Sequence, residues 1–418
     1  MTASDILPAG FDFTDPDVNL NAVPHDEFTA LRQSEPIVWV EQTHEARAGM
    51  SEASGTGYWA VTKHADVAAV SKNSKVFSSR ENGVIIRNPV TATRESIEMT
   101  QVVIINQDAP DHTQLRSIIS RGFTPRAINA LEEGLEERAR RIVSEAVATG
   151  SGNFVDQIAS QFPLEVIGDM LGVPVEDRQR IFEWTNQMTG ADDAELARED
   201  NDPQAAAMEV LMYSMGLAAD RKANPRDDIV TKLVHADKDG RGLTDDEFGF
   251  FVIALAVAGN ETTRNATTHG MQAFLDHPDQ WELWKHERPA TMVDEVIRWA
   301  TPVTSFQRTA LEDIELGGVQ IKAGQRVGLF YASANHDEDV FTDPFTFDIT
   351  RDPNPHLAFG GHGAHYCIGA NLARMEIKLI FDALADLAPD LVRTGEPARL
   401  RSGWLNGIKE LPVSYTRS

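Results

Sequence analysis

The sequence predicts a mainly α-helical protein with a small β-rich portion contributed by both ends of the chain. Three observations predict it. Apolar residues recur at helical spacing through most of residues 110–300. Short runs rich in Val, Trp and Tyr stand near the N-terminus, as strands require. Beyond Gly317 the chain breaks into short stretches punctuated by glycine and proline. No internal repeat and no Pro/Gly/Ser-rich linker divides it. One domain over 1–418 is therefore expected, with β structure from about 30–65 and 300–418 and a helical body over about 66–300.

Taken in order, Pro36–Glu41 and Gly57–Thr62 read as strands, and Ala127–Ala148 as an amphipathic helix carrying Leu131, Leu135, Ala139, Ile142 and Val143 on its apolar face. Residues 188–206 are polar and read as a loop. Thr244 and Glu247 form a Thr-x-x-Glu capping box, and His277–Pro278 closes the pattern about 30 residues later. At 1.5 Å per residue that is a rod of roughly 45 Å, and its first half, FFVIALAVAG, is apolar on nearly every side, which calls for burial. Val319–Ile321 and Arg326–Phe330 read as strands, Phe341–Pro355 as a loop, and the residues after Cys367 as a helix.

The chain carries 64 acidic against 38 basic residues, a formal net charge of −26. A field of that sign repels phosphate backbones and anionic lipid, so nucleic-acid binding and membrane-surface binding are not expected as main tasks. The start, MTASDILPAGFDFTDPD, has no secretory pattern, and the longest apolar run, 248–259, is too short to span a bilayer. A cytoplasmic protein without membrane anchor is the expectation. Cys367 is the single cysteine, which excludes an intrachain disulfide and any multi-cysteine metal site.

Four groups of residues carry chemistry. Ala258-Gly259-Asn260-Glu261-Thr262-Thr263 places glycine and adjacent polar residues inside the buried helix. Such a break in local propensity reads either as a helix opening to hold ligand or water, or as a polar turn that surfaces. Phe359–Gly369 clusters glycines and histidines around Cys367 just before an amphipathic helix. Glycines let backbone approach a flat cofactor, and a helix N-terminus favours a thiolate; the alternative is a small buried cysteine. Glu295 and Arg298 form a Glu-x-x-Arg pair in the apolar context VDEVIRWATP. The same spacing recurs at Glu137/Arg140, Glu195/Arg198, Glu261/Arg264 and Glu396/Arg399, so position rather than spacing singles the pair out. Finally, His112 and Arg116 lie at i, i+4 after Pro110, Arg308 follows a proline-containing segment, and His356 and His365 flank the glycine loop. In an acidic chain these are local cations suited to carboxylates.

AGNETT, EVIR and GGHGAHYCIG together resemble the cytochrome P450 family in order and separation, and the resemblance runs from end to end. It implies that family's fold, with a long buried helix over haem b, and makes Cys367 the axial thiolate. Glu261 and Thr262 match the acid–alcohol pair that delivers protons during dioxygen activation, and Glu295 and Arg298 the structural pair that fixes the cysteine loop. His112, Arg116, Arg308, His356 and His365 match positions that contact haem propionates. Two departures stand out: Gly360 occupies the usual phenylalanine position, with Phe359 displaced by one, and Thr346 stands where many relatives carry an arginine completing a triad with Glu295 and Arg298.

ENGVIIR, SRGFTPRA, LAVAGNETTRN, WATPVTSFQRTAL and LRSGWLNGIK are further similar to bacterial steroid side-chain monooxygenases. The similarity implies hydroxylation of the terminal methyl of cholesterol or cholest-4-en-3-one, with oxidation continuing toward the acid. Ile85, Met188, Val257 and Trp404 would line the substrate tunnel, although such side chains fill any core equally well. Electrons would come from a separate ferredoxin and its reductase, docking near Arg374 and Lys378. The competing readings are a monooxygenase of another lipid or terpenoid, a peroxygenase, a non-catalytic haem-binding sensor, and a cysteine-nucleophile hydrolase.

Overall fold

The computed structural model describes residues 6–189, 192–193, 195, 203–226, 228–235 and 242–416. Its axis is the helix Asp245–Asp276, 32 residues and about 48 Å long. Both arms of the capping box form: Thr244 Oγ1 accepts from the Glu247 backbone N–H at 3.2 Å, and the Thr244 N–H donates to Glu247 Oε2 at 3.0 Å. His277 caps the other end, as the sequence predicts. Around this helix pack Gln161–Met170, Val175–Thr189, Pro203–Ala223, Met292–Ala300 and Ala370–Leu387. The main apolar core, including Phe248, Phe251, Val252, Ala256, Ala266 and Phe274, runs along it.

The amphipathic segment expected over Ala127–Ala148 is two helices, Pro125–Asn129 and Glu132–Thr149. Leu135, Ala139, Ile142 and Val143 are buried as read, while Leu131 precedes the second helix and is only partly buried. The expected 188–206 loop lies largely outside the described residues. Its two ends are helical, since one helix runs to Thr189 and the next begins at Pro203.

Both ends of the chain build the main sheet. Its five strands lie in the order Ile37–Glu41, Gly57–Val61, Arg326–Phe330, Ser305–Ala310, Phe77–Ser78. Trp59 pairs with Val327 in a parallel ladder, and every other neighbour is antiparallel. The N-terminal contribution thus reaches past residue 65, to Phe77–Ser78. Ile314–Leu316 and Val319–Ile321 form a hairpin whose two-residue turn, Gly317–Gly318, has φ of +55° and +83°, a conformation glycine adopts freely. A small sheet joins Ser151–Asn153 to Pro412–Ser414 and Val392–Arg393. The Ser-Gly-Asn strand has no β propensity of its own and is recruited by its partner. No helix among the described residues is long and apolar enough to cross a membrane.

Candidate functional site around Cys367

The cysteine loop is wound tightly against a neighbouring helix. Cys367 N–H donates to the Phe359 carbonyl at 2.9 Å, and Tyr366 N–H to that of Gly363 at 3.0 Å. The glycines are needed chiefly on the outer side. A Cβ on Gly363 would lie 1.7 Å from the Ser71 carbonyl oxygen, and one on Gly361 2.6 Å from Ser71 Oγ, so the loop presses on the helix His64–Lys72. The room they give serves this helix, where the sequence suggests room for a flat cofactor. Phe359, displaced by one position, packs in a defined niche: the Arg374 guanidinium lies 4.6 Å from its ring centre, and His356 and Tyr366 flank it at 5.6 and 6.1 Å.

The Cys367 side chain keeps an accessible surface although protein surrounds it closely enough for burial to push its thiol up. The Gly369 backbone N–H and the charges of Arg116 and Arg374 oppose the shift without overcoming it. The helix begins only at Ala370, so its N-terminus does not by itself yield the expected thiolate. A metal at the sulfur does so outright.

Four of the five basic residues come together beside this loop. The rings of His112 and His365 are 4.1 Å apart, and Arg116 donates to the Tyr366 carbonyl at 2.5 Å. Arg308, 5 % exposed, donates to the Gln307 carbonyl at 2.6 Å, and His112 Nε2 is buried with no partner among the described residues. Burial, then Arg308, His112 and Arg116 in turn, hold His365 down at about 2. Burial likewise lowers His112, Arg116 and Arg308. Among the described residues neither Arg116 nor Arg308 has a carboxylate ion-pair partner, in a chain of net charge −26. A buried and a half-buried arginine without carboxylate partners, beside two histidines whose protonation burial and the arginines oppose, fit a dianionic group with an iron for the sulfur, so a haem suits the donor set. His356 is placed elsewhere: Nε2 faces Asp294 Oδ1 at 3.1 Å and Nδ1 accepts from the Ala358 N–H at 3.3 Å, which occupies both nitrogens.

Glu295 and Arg298 are fully buried and paired twice, at 2.8 Å each. Arg298 also donates to the carbonyls of Asn335 at 2.8 Å and Pro344 at 3.0 Å, anchoring the stretch that leads to the cysteine. The third member of the triad is Arg351. Its Nε reaches Glu295 Oε2 at 3.1 Å, and its Nη2 donates to the carbonyl of Thr346, the very residue that replaces the usual arginine, at 2.9 Å. Asn354 adds a bond at 3.0 Å. Sequence reasoning missed Arg351, Asn354 and Asp294, which joins His356 to Arg374. Arg374 and Lys378 are tied to Asp294 and Asp382, each at 2.7 Å, so neither offers the free charge expected for docking.

The central helix runs unbroken through its polar turn. Gly259 admits the Ile167 side chain, which would sit 2.8 Å from a Cβ there, so the glycine answers helix packing rather than an opening. Ala258 is exposed and Thr262, one turn on, half-buried, although Asn260, Glu261 and Thr263 between and after them are buried. Thr262 Oγ1 donates to the Ala258 carbonyl at 2.6 Å. Glu261 pairs with Arg264 and accepts from Asn265 at 3.1 Å, a buried pair that its spacing alone did not distinguish. Ile85, Met188, Val257 and Trp404 are all half-buried. The Ser305–Ala310 strand brings two of them near each other: Gln307 donates to the Ile85 carbonyl at 2.8 Å, and Trp404 stacks on Phe306 at 6.2 Å.

A profile of the Cytochrome P450 family matches residues 290–384. The chain is 60 % identical, over 98 % of its length and 85 % of the relative's, to the Steroid C26-monooxygenase of Rhodococcus jostii. It is 44 % identical to the Methyl-branched lipid omega-hydroxylase of Mycobacterium bovis, over 87 % of this chain and 85 % of that one. A Mycobacterium marinum cytochrome P450 in complex with pseudoionone superposes with a TM-score of 0.86 at 38 % identity, covering 93 % of this chain and 94 % of that one. With Cys367 as the only thiol to hold a haem, the chain belongs to the cytochrome P450 family.

Proposed function

We propose that this protein is a haem-thiolate monooxygenase that hydroxylates the terminal side-chain methyl of a steroid such as cholest-4-en-3-one or cholesterol, and can carry the product on toward the acid. The observation that supports it most is the setting of Cys367: the chain's only thiol, accessible, in the loop beside which Arg116, Arg308, His112 and His365 gather, with both arginines free of carboxylate partners among the described residues. In the overall reaction one atom of dioxygen enters a C–H bond and the other leaves as water, consuming two electrons and two protons. Haem b supplies the dioxygen chemistry when bound to Cys367.

The chain's own residues do the rest. Arg116, Arg308, His112 and His365 hold the two propionates, which restores a proton-accepting partner to each buried donor. Glu295, Arg298 and Arg351 keep the cysteine loop in register. Thr262 holds a proton on the accessible face of the central helix, and Glu261 resupplies it. Ile85, Met188, Val257 and Trp404 offer apolar surface that excludes water and orients the alkyl terminus, with Phe306 stiffening Trp404. A ferredoxin, fed by its reductase, docks on the cysteine face, where Lys72 is exposed beside the Ser71–Gly363 contact. The chain acts as one domain over 1–418 in the cytoplasm.

The deciding experiment is titration of the ferric protein with cholest-4-en-3-one, followed at the haem Soret band, with a methyl-branched fatty acid in parallel. A saturable low-spin to high-spin shift at micromolar steroid is the expected outcome. A shift with the fatty acid alone would favour the second reading, prompted by the 44 % identical relative. Absence of any haem band would overturn both.

A further inference from the structure

Asn260–Asn265, six consecutive residues of the central helix, hold more buried polarity than the proposed function uses. Glu261 is 1 % exposed; its Oε1 accepts from the Arg264 guanidinium and from Asn265 Nδ2 at 3.1 Å. Arg264, 7 % exposed, reaches off the helix with Nη1 to Asn186 Oδ1, 3.3 Å away on the Val175–Thr189 helix that also carries Met188. Among the described residues, five atoms of the same stretch are buried without a partner: Asn260 Nδ2 and Oδ1, Glu261 Oε2, Arg264 Nε and Asn265 Oδ1. Unsatisfied groups this dense are where ordered water binds. Glu261 does not bond Thr262, whose hydroxyl is given to Ala258. Adjacent residues of a helix point about 100° apart, so a proton passes between them through water or by a swing of the carboxyl group.

We propose that Arg264 is a positioning residue for Glu261: it ties Oε1, leaves Oε2 turned toward water held by Asn260 and Asn265, and through Asn186 links the carboxyl group to the helix bearing Met188. The inference rests on the reading of Glu261 and Thr262 as the proton path. Its consequence is that a steroid pressing on the Val175–Thr189 helix acts on proton supply along Asn186, Arg264 and Glu261, with no contact to Glu261 itself.

The test compares wild type, Arg264→Gln, Arg264→Lys, Asn186→Ala and Thr262→Ala, all haem-loaded, with cholest-4-en-3-one, NADPH, a plant-type ferredoxin and its reductase. Arg264→Gln should keep the Soret band and bind the steroid within about twofold of wild type. Its product per NADPH should fall about tenfold, the balance appearing as hydrogen peroxide, with a larger solvent deuterium isotope effect on kcat. Arg264→Lys should recover part of the yield, and Asn186→Ala should be intermediate. Independently of turnover, the infrared carboxyl bands assigned to Glu261 by difference against Glu261→Gln should shift in frequency in Arg264→Gln, because the guanidinium hydrogen bond to Oε1 is gone. Unchanged yield and isotope effect in Arg264→Gln, with Thr262→Ala uncoupled, would overturn the inference and leave the proton path standing. Unchanged coupling in Thr262→Ala would overturn the path itself. Should Arg264→Gln fail to load haem, Asn186→Ala decides, and a wild-type isotope effect there overturns the link.

Discussion

Glu295 accepts five hydrogen bonds, two from Arg298 and one each from Arg351, Asn354 and the Asp348 backbone. Removing that charge leaves Arg298 buried without its counter-charge, which costs about 3–5 kcal/mol. Glu295→Gln should therefore lose haem incorporation and cooperative unfolding. Arg351→Ala, which leaves the central pair intact, should lose only about 1–3 kcal/mol, visible as a lowered Tm with the haem spectrum retained. At the chemical centre, Thr262→Ala should still consume reductant while sending more of it to peroxide and less to product; the ratio of product to NADPH measures it. The Glu295–Arg298 pair was legible from its apolar context. Arg351 was not, because no sequence spacing encodes the reach of a side chain folded back around a loop. Thr346 looked like a missing part only while the chain was read as a line.

The elements were legible where local rules decide them and obscure where a neighbour does. Both ends of the central helix follow from Thr244, Glu247 and His277–Pro278. The polar turn at Gly259–Thr263 read as an opening or as a turn that surfaces, yet the helix continues unbroken, Asn260, Glu261 and Thr263 are buried, and the glycine is explained by Ile167, a residue on another helix. The glycine loop was likewise assigned to the cofactor, whereas Ser71 fixes two of its glycines. A direct test follows. Gly363→Ala drives a methyl into the Ser71 carbonyl, a backbone atom that Ser71→Gly cannot remove. The single and the double variant should both lose thiolate ligation, as read from the carbon-monoxide difference spectrum of the reduced protein. Retention of a normal spectrum by Gly363→Ala would show that the seat on His64–Lys72 is dispensable.

Over the whole molecule, buried titratable groups set a pH window. Burial holds His25 at about 4 and His269 at about 3, and with the positive fields of His25, Arg298 and Arg32 it takes His336 well below its ordinary value. Each is a base depressed in the fold, so its stabilisation is complete above 6.5 and drains away as pH falls toward those values. Glu376, buried in the helix after the cysteine, is pushed up to about 8 by burial alone. A raised acid acts in the opposite sense, its contribution being lost as pH rises from 4.5 to about 8. His112, His356 and His365 are lowered likewise, so the depressed histidines outweigh Glu376 below 6.5 and the slope of Glu376 remains above it; Tm should peak near pH 6.5. Glu376→Gln should leave the slope unchanged only below pH 4.5 and, relative to the wild type, raise stability by up to roughly 1.4 kcal/mol per pH unit from 4.5 to about 8, steepening the acid limb and flattening the alkaline one. A flat difference between the two proteins across pH 5–9 would refute this. The main sheet carries one more consequence. Its parallel ladder joins Trp59 to Val327, and the cysteine lies further on still. On the ribosome, the hairpin of Ile37–Glu41 and Gly57–Val61 must wait with an open edge until most of the chain has emerged. The haem pocket therefore cannot close before the cysteine has emerged, late in synthesis, and haem shortage should expose newly made chains to proteases at their N-terminal strands first.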